Sequence, residues 1–169
     1  NPEDIETVIS THSKHGSTSM LASLVSEPIE SLIAQITRLL PFINKSAIKG
    51  IHLEGPYLAH THCGAHDPTL LKAPTVKELT KLIDASKGTI RMVTLAPELD
   101  GAIAVIEFLV NQGVAVALGH SGADAAITRA AIKAGATIIT HFNNGMPKLN
   151  TGENISSVAL ADSEVVLEL

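Results

Sequence analysis

Residues 51–68 of the chain read IHLEGPYLAHTHCGAHDP. Ile51, His52 and Leu53 have the character of a buried β-strand, and they run straight into the carboxylate of Glu54 before Gly55-Pro56 ends regular structure. The next ten residues carry three histidines, His60, His62 and His66, and the only cysteine of the chain, Cys63. A glutamate delivered from a buried strand into such a loop has two readings. It is a strand-end charge that meets water, or it is a metal ligand or catalytic acid. The stretch alone leaves both open.

Strand and helix alternate on both sides of it. Residues 18–25 form a β-rich run, followed by Ile29, Leu32, Ile33, Ile36 and Leu40 at helical spacing. After the strand over 48–53, Thr75-Val76-Lys77-Glu78 has the form of a capping box and opens a helix whose apolar face is Leu79, Leu82 and Ile83. Strand 90–95 ends at Pro97-Glu98, and a helix over 103–110 closes near Gly113. Strand 114–118 ends in Gly119-His120-Ser121, and a helix through Ile127, Ala131 and Ala134 stops at Gly135. Residues 137–140 form a strand ending at His141, and the run from Val165 begins another.

Strands joined by helical crossovers pair in parallel. Their near-continuous apolar runs agree, because a parallel sheet is covered on both faces. A doubly wound sheet and a TIM barrel share this pattern; the polar residues separate them. Glu54, Glu98, His120 and His141 each stand at the C-terminal end of a different strand, where a barrel builds its site. The fold predicted is therefore α/β, a (β/α)8 TIM barrel, which the family resemblance given below makes one of the metal-dependent hydrolase type. The chain, 1–169, reads as a single partial barrel domain lacking the first strand and the C-terminal strands, since it starts without Met and ends within a strand-like run.

Composition narrows the function. Apolar residues make up 45% of the chain, with no Trp, one Tyr and three Phe, so the core is aliphatic. A net charge of -5 argues against a nucleic-acid or anionic-membrane partner. No apolar run approaches a membrane span, and the N-terminus does not resemble a signal peptide. One cysteine forms no internal disulfide, which fits a reducing, cytoplasmic setting.

Glu54, His120 and His141 offer a carboxylate and two imidazoles, a donor set suited to Zn²⁺ or Fe²⁺ with a position left open for water. The residues around them have a family likeness. His52-Leu53-Glu54-Gly55-Pro56-Tyr57 with Gly64-Ala65-His66, then Thr94-Leu95-Ala96-Pro97-Glu98, Gly119-His120-Ser121 and Thr140-His141-Phe142-Asn143-Asn144-Gly145-Met146-Pro147, resemble the N-acetylglucosamine-6-phosphate deacetylases of the amidohydrolase superfamily. The motifs occur in the family's order, from about Gly16 to the end of the chain.

The resemblance implies a metal-dependent hydrolase that removes acetate from a 6-phosphorylated amino sugar, with one or two divalent ions per subunit. It implies Glu54, His120 and His141 as metal ligands, and Ala65, His66, Asn144 and Gly145 as substrate contacts. It also implies a catalytic aspartate beyond Leu169, a homodimeric full-length protein, and an inactive fragment in these 169 residues by themselves. One feature departs from the family: no arginine follows Met146-Pro147, where Lys148 offers a point charge rather than a planar fork. The alternatives are an N-acetylgalactosamine-6-phosphate deacetylase and a non-catalytic sugar-phosphate-binding barrel. For the remaining residues plainer roles are expected: His12, His15, His60 and His62 solvated, Glu98 a structural strand-end carboxylate, and Cys63 an inert loop thiol or a neighbour of the metal. His52 shares the strand face of Glu54, either as its hydrogen-bonding partner or as a core histidine.

Overall fold

Helix α1 (Pro2–Lys14) precedes six strands that alternate with helices: β1 (Met20–Leu24), α2 (Ile29–Leu39), β2 (Ile48–Glu54), α3 (Val76–Ser86), β3 (Ile90–Leu95), α4 (Ala102–Asn111), β4 (Ala115–Leu118), α5 (Ala125–Lys133), β5 (Ile138–Ile139), α6 (Ile155–Ala161) and β6 (Val166–Leu167). The structure is a computed structural model and describes residues 2–45 and 47–169. Among the described residues no helix is long and apolar enough to cross a membrane.

The strands form one parallel sheet in the order β1-β2-β3-β4-β5-β6. That order decides the architecture. A doubly wound sheet reverses its strand order at a switch point, whereas a barrel adds each strand beside the last. The helices follow suit, α2 packing on α3, α3 on α4, α4 on α5 and α5 on α6. This is six consecutive units of a TIM-barrel wall.

The two sheet faces differ in chemistry. Ile51, Leu53, Val93, Leu95, Val116, Leu118 and Ile139 are buried in one cluster with helix residues such as Leu32, Ile36, Leu79, Leu82, Ile106 and Leu109. Of the alternate positions, His52, Glu54, Thr94 and Ala117 are small or polar, while Met92 and Ile138 are apolar. The aliphatic core thus lies between sheet and helices, and the polar side chains point the other way.

Local chemistry ends the helices. The Asp124 side chain caps α5 by accepting from Ile127 N, and Asn154 caps α6 through a reciprocal box with Ser157. At α3 the expected box is only half formed. Thr75 accepts from Glu78 N, but the Glu78 carboxylate turns away to Lys72 Nζ at 2.7 Å. Gly135 closes α5 with φ +110°, and a Cβ there would lie 2.8 Å from Val110 Cγ2, so the position needs glycine twice over.

Helix α5 runs through Ile127 and Ala131 to its C-cap at Ala134, as expected, and buries Ala125, Thr128 and Ala131. Two expectations need correction. The strand expected over 137–140 has only Ile138 and Ile139 in regular pairing. Thr140 N still bonds the Leu118 carbonyl at 2.9 Å, but His141 then takes φ 33° and leaves the ladder. His12 lies exposed on α1 as expected, whereas His15 lies just past its end.

Burial predicts where substitutions hurt. Leu82 is fully buried on α3 and Leu160 is 59% exposed on α6. Leu82→Ala is expected to cost about 2–5 kcal/mol in urea unfolding, and Leu160→Ala within about 0.5 kcal/mol of wild type.

Candidate metal centre

Glu54 is the last residue of β2, and His120 and His141 lie two residues past the last regular positions of β4 and β5. Their donor atoms converge. His120 Nε2 lies 3.1 Å from Glu54 Oε1, His141 Nε2 lies 3.3 Å from the same oxygen, and the two Nε2 atoms are 3.0 Å apart. One donor atom from each residue falls within 4.8 Å of the others, a group that can hold a metal ion. Lone-pair atoms this close repel unless a proton or a cation sits among them. A carboxylate oxygen with two imidazole nitrogens fits a divalent transition ion and leaves coordination positions free.

The far side of each imidazole fixes its tautomer. His120 Nδ1 donates to the His62 carbonyl at 2.8 Å, and His141 Nδ1 donates to the Asn144 carbonyl at 3.1 Å. A carbonyl only accepts, so Nδ1 carries the hydrogen and Nε2 of the neutral ring turns its lone pair to the centre. Both residues hold positive φ, 49° at His120 and 33° at His141. Such conformations cost about 1–3 kcal/mol each in a non-glycine residue. The strain turns both rings off the strand axis.

Glu98 braces the loop behind His120. Its carboxylate accepts from Ser121 Oγ at 2.7 Å and from Gly122 N at 2.6 Å, the structural role expected of it. It does not join the ligand group. Neither do His60, which is exposed, the His62 ring, which meets Thr61 Oγ1, or Cys63, whose thiol points to the Gly64 carbonyl at 3.9 Å.

His66 stands edge-on to His120, with ring centroids 4.7 Å apart. Its Nδ1 is 2.8 Å from Ser26 Oγ, which leaves Nε2 free. Ala65 and His66 line a small cavity of about 130 Å³ with Val25, Ser26 and Asp67. On the opposite side Gly145 lies so close that a Cβ would sit 3.3 Å from His120 Nδ1 and 3.4 Å from His141 Cε1. The Gly145 carbonyl accepts from Ser121 N at 3.1 Å, and Lys148 Nζ donates to the Asn143 carbonyl. His66, Gly145 and, through its backbone, Asn144 therefore border the Glu54–His120–His141 group, while Ala65 lines the small cavity beside His66.

Known proteins carry the same strand and motif order. A solved N-acetyl-D-glucosamine-6-phosphate deacetylase from Mycobacterium smegmatis superposes with a TM-score of 0.91 at 45% identity, over 95% of this chain and 43% of its own. The chain is a relative of the N-acetylglucosamine-6-phosphate deacetylases. A variant of that mycobacterial enzyme, solved in complex with N-acetyl-D-glucosamine-6-phosphate, superposes at 0.92 with 44% identity, over 95% of this chain and 42% of its own. An N-acetylgalactosamine-6-phosphate deacetylase from Escherichia coli is 35% identical over 99% of this chain and 46% of its own length. The chain thus spans less than half the length of these relatives. No protein-family model matches it.

Sequence reasoning missed the residues that orient the group. Ser26 and the backbones of His62 and Asn144 carry no motif of their own. Thr94 and Thr140 stood inside quoted motifs, but a strand threonine reads equally well as ordinary β filling. His52, left open between two roles, is 5% exposed and bonds Ser23 Oγ at 3.0 Å and Thr94 Oγ1 at 2.8 Å, with no direct bond to Glu54. Burial lowers its pKa, against a partial pull from Glu54.

Electrostatics ties the group to pH. Without a metal, protonated His120 carries a hydrogen on each nitrogen, and its Nε2–H bond holds the Glu54 carboxyl at about 2, against the opposing effect of burial. Burial works against charge on His120, but the hydrogen bond to Glu54, the His62 carbonyl and the Glu54 charge together raise its pKa. In metal-stripped protein the depressed Glu54 stabilises the fold above its ordinary value of 4.5, a contribution lost as pH falls toward about 2. The raised His120 contributes fully below its ordinary 6.5, a contribution lost as pH rises through its folded value. Melting temperatures of the stripped protein are therefore expected to peak between these limits, and Glu54→Gln to flatten both limbs. A Glu54→Gln profile parallel to wild type would refute the pairing.

Proposed function

We propose that the whole protein hydrolyses N-acetylglucosamine 6-phosphate to glucosamine 6-phosphate and acetate, using a divalent ion held by Glu54, His120 and His141. The observation that carries this reading is the convergence of three donor atoms, from three strand ends, within 4.8 Å of one another. The likeness to enzymes of that name, one of them solved with the phosphorylated sugar, supports the reaction and substrate class. A bound ion would supply Lewis-acid polarisation of the acetyl carbonyl and acidify a water near neutral pH.

The residues of this chain bind and orient. Glu54, His120 and His141 would present one anionic and two neutral donors to a divalent ion, so the loaded centre would keep a net positive charge suited to a developing oxyanion. His66, with Nδ1 engaged by Ser26, offers Nε2 to a sugar hydroxyl or the acetyl oxygen. Asn144 and Gly145 border the opposite side, and Gly145 admits the substrate close to the imidazoles because it has no side chain. Lys148 takes the part of the family's arginine as a single positive charge near the sugar phosphate. Proton transfer is assigned to an aspartate beyond Leu169 in the full-length protein.

Two measurements test the reading. Full-length protein is expected to release acetate from N-acetylglucosamine 6-phosphate much faster than from the unphosphorylated sugar or the galacto epimer; equal rates would overturn the phosphate site, and a galacto preference the assigned epimer. Metal analysis of His120→Ala is expected to find most of the ion gone, since two remaining protein ligands hold an open site poorly. Wild-type metal content in that variant would remove His120 from the ligand set.

A further inference from the structure

His120 and His141 lie beyond the last register pairs of their strands, Leu95 with Leu118 and Leu118 with Ile139. Single backbone bonds continue past those pairs, from Gly119 N to the Leu95 carbonyl, Thr140 N to the Leu118 carbonyl and Ala59 N to the His120 carbonyl. Side chains can add to that support where strand ends carry atoms only 3.0 Å apart. Thr94 is placed to do it. Its Oγ1 lies 2.8 Å from His52 Nε2 and 2.8 Å from Thr140 Oγ1. His52 precedes Glu54 by two residues on the same strand face, and Thr140 directly precedes His141.

The third ligand is reached through the methyl group. A Cβ built on Gly119, the residue before His120, would lie 3.0 Å from Thr94 Cγ2 and 3.1 Å from Thr140 Cβ. Gly119 therefore lets the Thr94–Thr140 bond pass across β4, and Thr94 rests against it. One side chain thus touches a close sequence neighbour of all three ligands. The chain of bonds continues to β1, where Ser23 Oγ meets His52 Nδ1 at 3.0 Å. Thr94 is fully buried, with Thr140 and His52 nearly so, and water has little room to replace a lost partner.

We propose that Thr94 is a positioning residue of the metal centre, its hydroxyl holding the strand ends of Glu54 and His141 in fixed relation while its methyl seats the backbone that leads into His120. The inference rests on the reading of Glu54, His120 and His141 as metal ligands. It predicts that the hydroxyl, more than the bulk of the side chain, governs metal affinity. Valine keeps the shape of threonine and loses the hydroxyl, leaving His52 Nε2 and Thr140 Oγ1 without this partner. Serine keeps the hydroxyl and loses the methyl.

The experiment uses the full-length protein and reads the Zn²⁺ dissociation constant by competition with a chromophoric chelator, and the visible spectrum of the Co²⁺-loaded protein. Thr94→Val is expected to weaken Zn²⁺ binding by about 10–100-fold, as loss of an outer partner does, and to alter the Co²⁺ bands. Thr94→Ser is expected to restore most of the affinity and the bands. Wild-type affinity and spectrum in Thr94→Val would overturn the inference, and so would a serine variant as impaired as the valine one. Should Thr94→Val fail to fold by circular dichroism, Thr140→Val, which removes only the farther bond, is expected to show a smaller loss; no loss there would overturn the inference. A wild-type protein that binds no zinc would overturn the metal reading and this inference with it. Tight wild-type binding unaffected by valine would overturn this inference alone.

Discussion

The structure turns on the crowding of one carboxylate oxygen and two imidazole nitrogens within about 3 Å of one another. Such a cluster is unfavourable in an empty, rigid site, because lone pairs face lone pairs and burial penalises charge. With both Nδ1–H groups turned outward to carbonyls and Glu54 ionised, three acceptors face the centre, which a proton on an imidazole or a bound cation reconciles. Positive φ at His120 and His141 adds a backbone cost that the surrounding loops must offset. Positive φ also occurs at Asn44, Lys87 and Asn143, but only His120 and His141 combine it with membership of the candidate metal group.

The rest of the fold can be read as support for that crowding. The strict strand order brings β2, β4 and β5 to a common end, and the aliphatic layer between sheet and helices fixes their tilt. The polar face of the sheet then carries a hydrogen-bonded row that runs from exposed Ser23 into buried His52, Thr94 and Thr140. Buried rows of this kind specify geometry because each unmade bond costs the desolvation of its group. Glu98 does the same from outside, tying Ser121 and Gly122 behind His120.

Much of the architecture was legible because it is written in local chemistry. Apolar periodicity located the helices, and parallel pairing followed from the helical crossovers between strands. The capping box at Thr75 was read from its spacing, yet Glu78 found a stronger partner in Lys72, and no local rule anticipates a lysine six residues upstream. Strand β5 was read as longer than it is, because β-propensity cannot register the backbone turn at His141.

What the sequence by itself determined is the alternation of elements, the aliphatic core, and the placing of Glu54, His120 and His141 at strand ends. Those follow from side-chain hydrophobicity and turn chemistry, which act between near neighbours in the chain. The tertiary structure alone decided which nitrogen of each histidine faces the centre, and that Ser26, Thr94 and Thr140 lie in the hydrogen bonds around it. Hydrogen bonds between residues 40 or more positions apart depend on strand register and sheet curvature. No local pattern encodes those, because a buried threonine that bridges two strands has the same sequence signature as one that merely fills a β position.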